Sequence, residues 1–137
     1  VAKAAAQEKV DTLFHGVKQK PGKPLFFGKQ NEALVFGLPG NPSSVLHCFQ
    51  QYVKPAIELM QGKQPVPTIQ ARLTAPYSKK AGLTFFLKAY YQEGIVTILS
   101  AQASYQVSAF SNANCWVELP MDEALFNQNQ LVTVHLF

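Results

Sequence analysis

A chain of 137 residues has room for one ordinary domain or for two small ones sharing a boundary. An apolar fraction of 47% with 15% charged residues describes a globular chain and excludes a disordered one. The net charge of +4, from 12 basic and 8 acidic residues scattered without a run, argues against nucleic acid as a partner and suits small anions.

Residues 2–12 favour helix, with Ala4-Ala5-Ala6 in a row and no breaker. The chain enters this segment at Val1 without an initiator Met, so a piece of something longer is expected. Leu13–Val17 and Leu25–Phe27 read as short strands on either side of Lys20-Pro21-Gly22-Lys23-Pro24. Ala33–Leu38 is a compact apolar run, as expected of a strand covered on both faces. A helix start follows, with Asn41 as N-cap and Pro42 at the first helical position. Val45, Phe49, Tyr52, Val53, Ala56 and Met60 recur at helical spacing, Pro55 should kink the run near Gln51, and Gly62 should stop it.

Gln64–Pro67 reads as a linker, and beyond it the period changes. Thr68–Ala75, Thr84–Tyr91, Ile95–Ser100, Ser104–Phe110, Cys115–Leu119 and Leu131–Phe137 are short and rich in β-branched and aromatic residues, with Gln92-Glu93-Gly94 as a hairpin connection. Such spacing indicates a small antiparallel barrel or sandwich. The expected fold class is therefore α/β plus all-β, with an α/β segment over residues 1–63 and a β domain over 64–137. The first segment has too few strands for a complete α/β sheet, which again suggests a missing N-terminal half.

Two loops carry the chemistry. In KPGKP the prolines beside Gly22 fix the loop, so the ammonium groups of Lys20 and Lys23 are held as point charges suited to phosphate or another tetrahedral oxyanion. In Gly37-Leu38-Pro39-Gly40-Asn41-Pro42-Ser43-Ser44 a strand runs into a helix, whose free N–H groups favour oxyanions. Gly37 and Gly40 let a ligand approach the backbone, and Ser43 and Ser44 add hydroxyl donors. Each loop alone is equally an ordinary stiffened turn or capped helix. Together they can meet at the carboxyl ends of a parallel sheet, where α/β proteins bind ligands. Lys88 interrupts an apolar strand, and either faces solvent or marks the edge of a site.

Other chemistries find less support. His15, His47 and His135 fall on separate elements without ligand spacing, and the eight carboxylates lie outside both loops, so no metal site is read. Cys48 and Cys115 lack CxxC spacing and read as buried thiols in a reducing, cytoplasmic setting. No apolar run reaches the roughly 18 residues of a membrane span, and no segment reads as a signal peptide.

In order and spacing, Phe14-His15-Gly16-Val17, KPGKP, VFGLPGNPSS, Phe86-Leu87-Lys88-Ala89, Gln102-Ala103-Ser104, Ser111-Asn112-Ala113-Asn114 and Val117-Glu118-Leu119-Pro120 resemble the C-terminal third of the MoeA/gephyrin E-domain family, the molybdopterin molybdenumtransferases. The resemblance implies a partial MogA-like molybdopterin-binding α/β domain followed by a small antiparallel β-barrel-like C-terminal domain. It implies a parent enzyme of molybdenum cofactor biosynthesis that inserts molybdate into adenylylated molybdopterin and releases AMP. That step is Mg²⁺-dependent in the family, whose members form homodimers, and the ligands of the ion would lie outside this chain. By the same resemblance Lys20 and Lys23 are catalytic, while Pro24, Gly40, Asn41, Ser43, Ser44, Lys88 and Ser104 bind substrate. Lys88 stands where the family usually has arginine, which keeps the charge and loses the planar fork. The chain alone is expected to be inactive. The alternative is a non-catalytic pterin- or anion-binding or protein-docking module, since the fold does not by itself settle activity.

Overall fold

In the computed structural model, residues 1–103 and 107–137 are described. Helix α1 (Ala2–Gln7) is the alanine-rich segment, but it stops well short of residue 12. Lys9 turns to a φ of 55°, the Val10 N–H donates to the Ala5 carbonyl at 2.9 Å and the Lys9 N–H to that of Ala6 at 3.3 Å, which is a Schellman ending. A lysine occupies the left-handed position that glycine usually takes, so no breaker signals the stop. Asp11 and Thr12, expected in the helix, instead begin strand β1 (Asp11–His15).

Strands β2 (Gln19–Lys20), β3 (Phe26–Gln30) and β4 (Ala33–Gly37) follow. β1, β3 and β4 form an antiparallel sheet with β3 in the middle. Phe26 pairs with Gly37, so the loop that feeds β3 and the loop that leaves β4 lie at the same end of the sheet. The two anion-loop candidates thus meet through an antiparallel pair, and not at the switch point of a parallel sheet. Nor is β4 covered on both faces: Ala33 and Leu34 are exposed and the rest is half-buried.

Asn41 caps helix α2 (Pro42–Cys48), its Oδ1 accepting from the Ser43 N–H at 3.1 Å. A π-helical turn (Phe49–Val53) leads into α3 (Lys54–Met60). Pro55 has no N–H to return to Gln51, and the helix widens ahead of it instead of breaking. Gly62, at a φ of 76°, closes the run with a second Schellman pattern, the Lys63 N–H reaching the Glu58 carbonyl at 2.9 Å. The apolar spacing misjudged the inner face. Phe49 is 41% and Met60 70% exposed, while Ser43, Ser44, His47 and Cys48 are buried. The extra residue per π turn rotates everything after it, so a 3.6-residue period carried from Val45 to Met60 loses register.

After an irregular connector come β5 (Ile69–Leu73), β6 (Tyr77–Ser78), β7 (Thr84–Gln92), β8 (Ile95–Ile98), β9 (Cys115–Leu119), β10 (Leu125–Phe126) and β11 (Leu131–Leu136). The order β7-β8-β5-β11-β9, with β9 returning to β7, closes a barrel around Ala71, Leu87, Val96, Val117 and Val134. One pair, β5 with β8, is parallel, where only antiparallel pairing was expected. Glu93 and Gly94, at φ of 48° and 82°, make the tight turn between β7 and β8. The strand expected over 104–110 is not observed: Val107–Asn112 is a 3-10 helix, and residues 104–106 lie outside the described part.

The first segment does not simply abut the barrel. β2 pairs in parallel with β7, Gln19 opposite Thr84 and Lys20 opposite Phe85, and so plants the KPGKP loop on the barrel wall.

Candidate functional site

Strand β7 is buried on both sides. Leu87 and Ala89 belong to the barrel core, whereas Phe86 and Lys88 alternate onto the other face, Lys88 directly opposite Trp116 on β9. Lys88 is 1% exposed, which rules out the solvent-facing reading. Its Nζ donates to the Ala103 carbonyl at 3.4 Å and lies 4.9 Å from the centre of the Phe110 ring. Burial holds its pKa below the ordinary lysine value, because the charged form loses hydration.

In front of Lys88 opens a cavity of about 310 Å³, which Lys20, Ser43 and Lys88 all line. Its walls include Tyr77, Phe85, Phe86 and Trp116, with Gln102 and Ala103 at one side. Lys20 reaches it from the end of β2, its Nζ 5.3 Å from the centre of the Phe85 ring. Ser43 comes from the first turn of α2 and is buried. Three elements far apart in sequence therefore bring two ammonium groups and a hydroxyl to one aromatic-walled cavity.

The loop can come this close because of Gly22. At a φ of 89°, a Cβ there would stand 2.5 Å from Cys48 Sγ and 2.9 Å from Gln19 Nε2, so only glycine lets KPGKP close against α2. Buried Gln19 completes the joint, donating to the Gly22 carbonyl at 3.5 Å and accepting from the Tyr52 hydroxyl. Burial pushes the Tyr52 hydroxyl up to about 12 and the Cys48 thiol up to about 11, so both stay protonated and unreactive at neutral pH.

Other predicted site residues stand elsewhere. Lys23, Pro24, Gly40 and Asn41 are exposed and do not line the cavity, and Ser44 is buried beside it without lining it. Ser104 lies outside the described residues. Gly37 is required by packing, since a Cβ there would stand 2.9 Å from that of Phe26, and not by ligand approach. No third carboxylate, histidine or cysteine joins any pair to form a metal-ligating group among the described residues.

Several neighbours were not anticipated. Lys79, nearly buried, donates to the Leu83 carbonyl at 3.0 Å and holds its Nζ 5.2 Å from the same Phe85 ring that Lys20 faces. Burial lowers its pKa, opposed by Asp122 and Glu123. His47 is fully buried 4.5 Å from the Phe86 ring centre and 4.9 Å from that of Trp116, with neither ring nitrogen hydrogen-bonded. Burial first, and the charge of His135 second, lower its pKa to about 3, so it is neutral. Glu118 Oε2 lies 2.7 Å from His135 Nε2, and Gln51 Nε2 lies 3.1 Å from His135 Nδ1. None of these has a local sequence pattern, because each depends on a partner on another element.

Residues 1–59 match the family described as a probable molybdopterin binding domain, and residues 70–137 the MoeA C-terminal region (domain IV). The chain is 36% identical to the molybdopterin molybdenumtransferase of Haemophilus influenzae, an alignment covering 97% of this chain and 35% of that protein. It is 30% identical to the protein of the same name from Synechocystis, covering 88% of this chain and 30% of the relative. Among solved structures, the molybdopterin biosynthesis moeA protein of Pyrococcus horikoshii superposes with a TM-score of 0.76 at 30% identity, covering 93% of this chain and 33% of that one. The chain thus spans about a third of the length of the curated relatives it matches.

Proposed function

This chain belongs to the MoeA family, its C-terminal portion, and from that premise we propose that it is part of a molybdopterin molybdenumtransferase. The parent protein inserts molybdate into adenylylated molybdopterin and releases AMP, and these 137 residues alone do not turn over. The observation that carries the reading is the convergence of Lys20, Ser43 and Lys88 on one aromatic-walled cavity. Cleaving the pyrophosphate bond that joins AMP to the pterin phosphate separates two anions beside a third, molybdate. Fixed ammonium groups stabilise the charge that gathers there, and in a site with little water they do so more strongly than in solution. Lys20 and Lys88 carry that charge and Ser43 donates to an oxyanion. Phe85 and Trp116 offer flat faces for a ring system. Pro24, Gly40, Asn41, Ser44 and Ser104 belong to the substrate surface around the cavity. Lys23, exposed on the same loop, draws the anions in.

The described residues do not supply a Mg²⁺ site, for want of a cluster of ligands. The ion dependence of the parent enzyme therefore rests on ligands outside this chain. Homodimerisation, a cytoplasmic location and a division between an α/β unit over 1–63 and a β unit over 64–137 are parts of the same proposal. The two family matches, which meet across the connector, support that division.

Lys20→Ala in the full-length protein is expected to lower molybdate-dependent AMP release about a hundredfold, the scale of removing one fixed transition-state donor. Lys23→Ala is expected to lose less, mostly in KM. Unchanged rates in both variants would sink the assignment.

A further inference from the structure

Resting on that reading, we infer that Gln102 is a positioning residue that holds Lys88 in place for its task. Strand β8 ends at Ile98, just where Lys88 would need its next partner along that edge of β7. A buried strand residue left without a neighbour would keep an unpaired N–H and an under-satisfied carbonyl. The side chain of Gln102 takes the missing place. Its Oε1 accepts from the Lys88 N–H at 3.0 Å, and its Nε2 donates to the Lys88 carbonyl at 2.8 Å and the Leu99 carbonyl at 2.5 Å. One amide thus reproduces the two-way pairing that a strand residue would make. The next residue, Ala103, accepts from the Lys88 ammonium at 3.4 Å, so two successive residues hold both ends of the lysine.

Gln102 lines the cavity too, but its two N–H donors and its carbonyl are all engaged by protein. It therefore acts through Lys88 and does not itself bind substrate. The fold contains its own control. Asn114 brackets Tyr91 on β7 in the same manner, at 2.7 and 2.8 Å, and Tyr91 does not line the cavity.

The test is a double-mutant cycle in the full-length protein, reading kcat and KM for molybdate in AMP release, with melting temperature alongside. Gln102→Met is expected to lower kcat/KM about tenfold or more, since small misplacements of a fixed group are costly. In a Lys88→Ala background it should add no further loss. Asn114→Leu should lower the melting temperature comparably and leave kcat/KM within about twofold. An equal loss from Gln102→Met with and without Lys88, or an equal loss from Asn114→Leu, overturns the inference and leaves the proposed function standing. Undiminished AMP release in Lys88→Ala overturns both. If Gln102→Met does not fold, Gln102→Glu, which keeps the acceptor and loses the donors, takes its place in the same cycle.

Discussion

His47 has a folding cost that depends on pH. Folded, its ring stays neutral down to about pH 3, while in the unfolded chain it takes up a proton near its ordinary value of 6.5. Between those values the unfolded state binds more protons, so stability rises with pH and is lost as pH falls through the unfolded pKa. The loss between pH 7.5 and pH 5 comes to about 2 kcal/mol for this group. His47→Leu removes the titration and replaces two unpartnered nitrogens with an apolar side chain of similar reach. Chemical denaturation at both pH values should show the wild type losing about 2 kcal/mol more than the variant on acidification. Equal losses would mean that the ring is not held neutral. The sequence could not point to this residue, since a histidine beside a cysteine on a helix says nothing about Phe86 and Trp116. Lys20 and Ser43 were legible because both sit in fixed, recognisable loops, whereas Lys79 and Gln102 gain their meaning only from partners that folding supplies.

At the level of elements, Asn41 separates a local role from a substrate role. Its side chain caps α2 through the Ser43 N–H, and the same residue was assigned to the substrate surface. Asn41→Ala removes the cap and should cost about 1 kcal/mol in denaturation. Asn41→Asp keeps a capping oxygen but brings negative charge to a loop beside two lysines of the site. It should leave stability near wild type and raise KM for the anionic substrates severalfold. If Asn41→Asp binds substrate normally, the residue is a cap and nothing more. Caps and stops of this kind were readable, as Asn41, Pro42 and Gly62 show, because each is one residue answering one backbone need. The stop at Lys9 and the pair β6–β10 were not, the first lacking its usual glycine and the second being two residues long, too short for a period.

Across the whole molecule, the α/β and β parts are joined by three successive residues of the π turn. Gln50 accepts from the Trp116 indole N–H at 2.7 Å, Gln51 reaches His135, and the Tyr52 hydroxyl donates to Gln19 on β2, which is itself paired to the barrel. The widened turn that Pro55 imposes is therefore the part of the helix that grips the barrel. The boundary near residue 64 was visible as a change of period, but this joint was not, because side-chain amides crossing between elements leave no periodic trace. Trp116 is the chain's one tryptophan and is 1% exposed at that joint, so its emission reports docking directly. If the joint binds the two parts into one cooperative unit, Trp116 fluorescence and helical circular dichroism of the 137-residue chain should fall together in denaturant, with a common midpoint. Trp116→Phe, which strands the Gln50 carbonyl oxygen, should shift that midpoint by about 1–3 kcal/mol in stability. Fluorescence that changes well before the helical signal would mean that the helix undocks while still folded. The cavity, with Lys20 and Ser43 on one side and Lys88 on the other, would then open at far less cost than global unfolding.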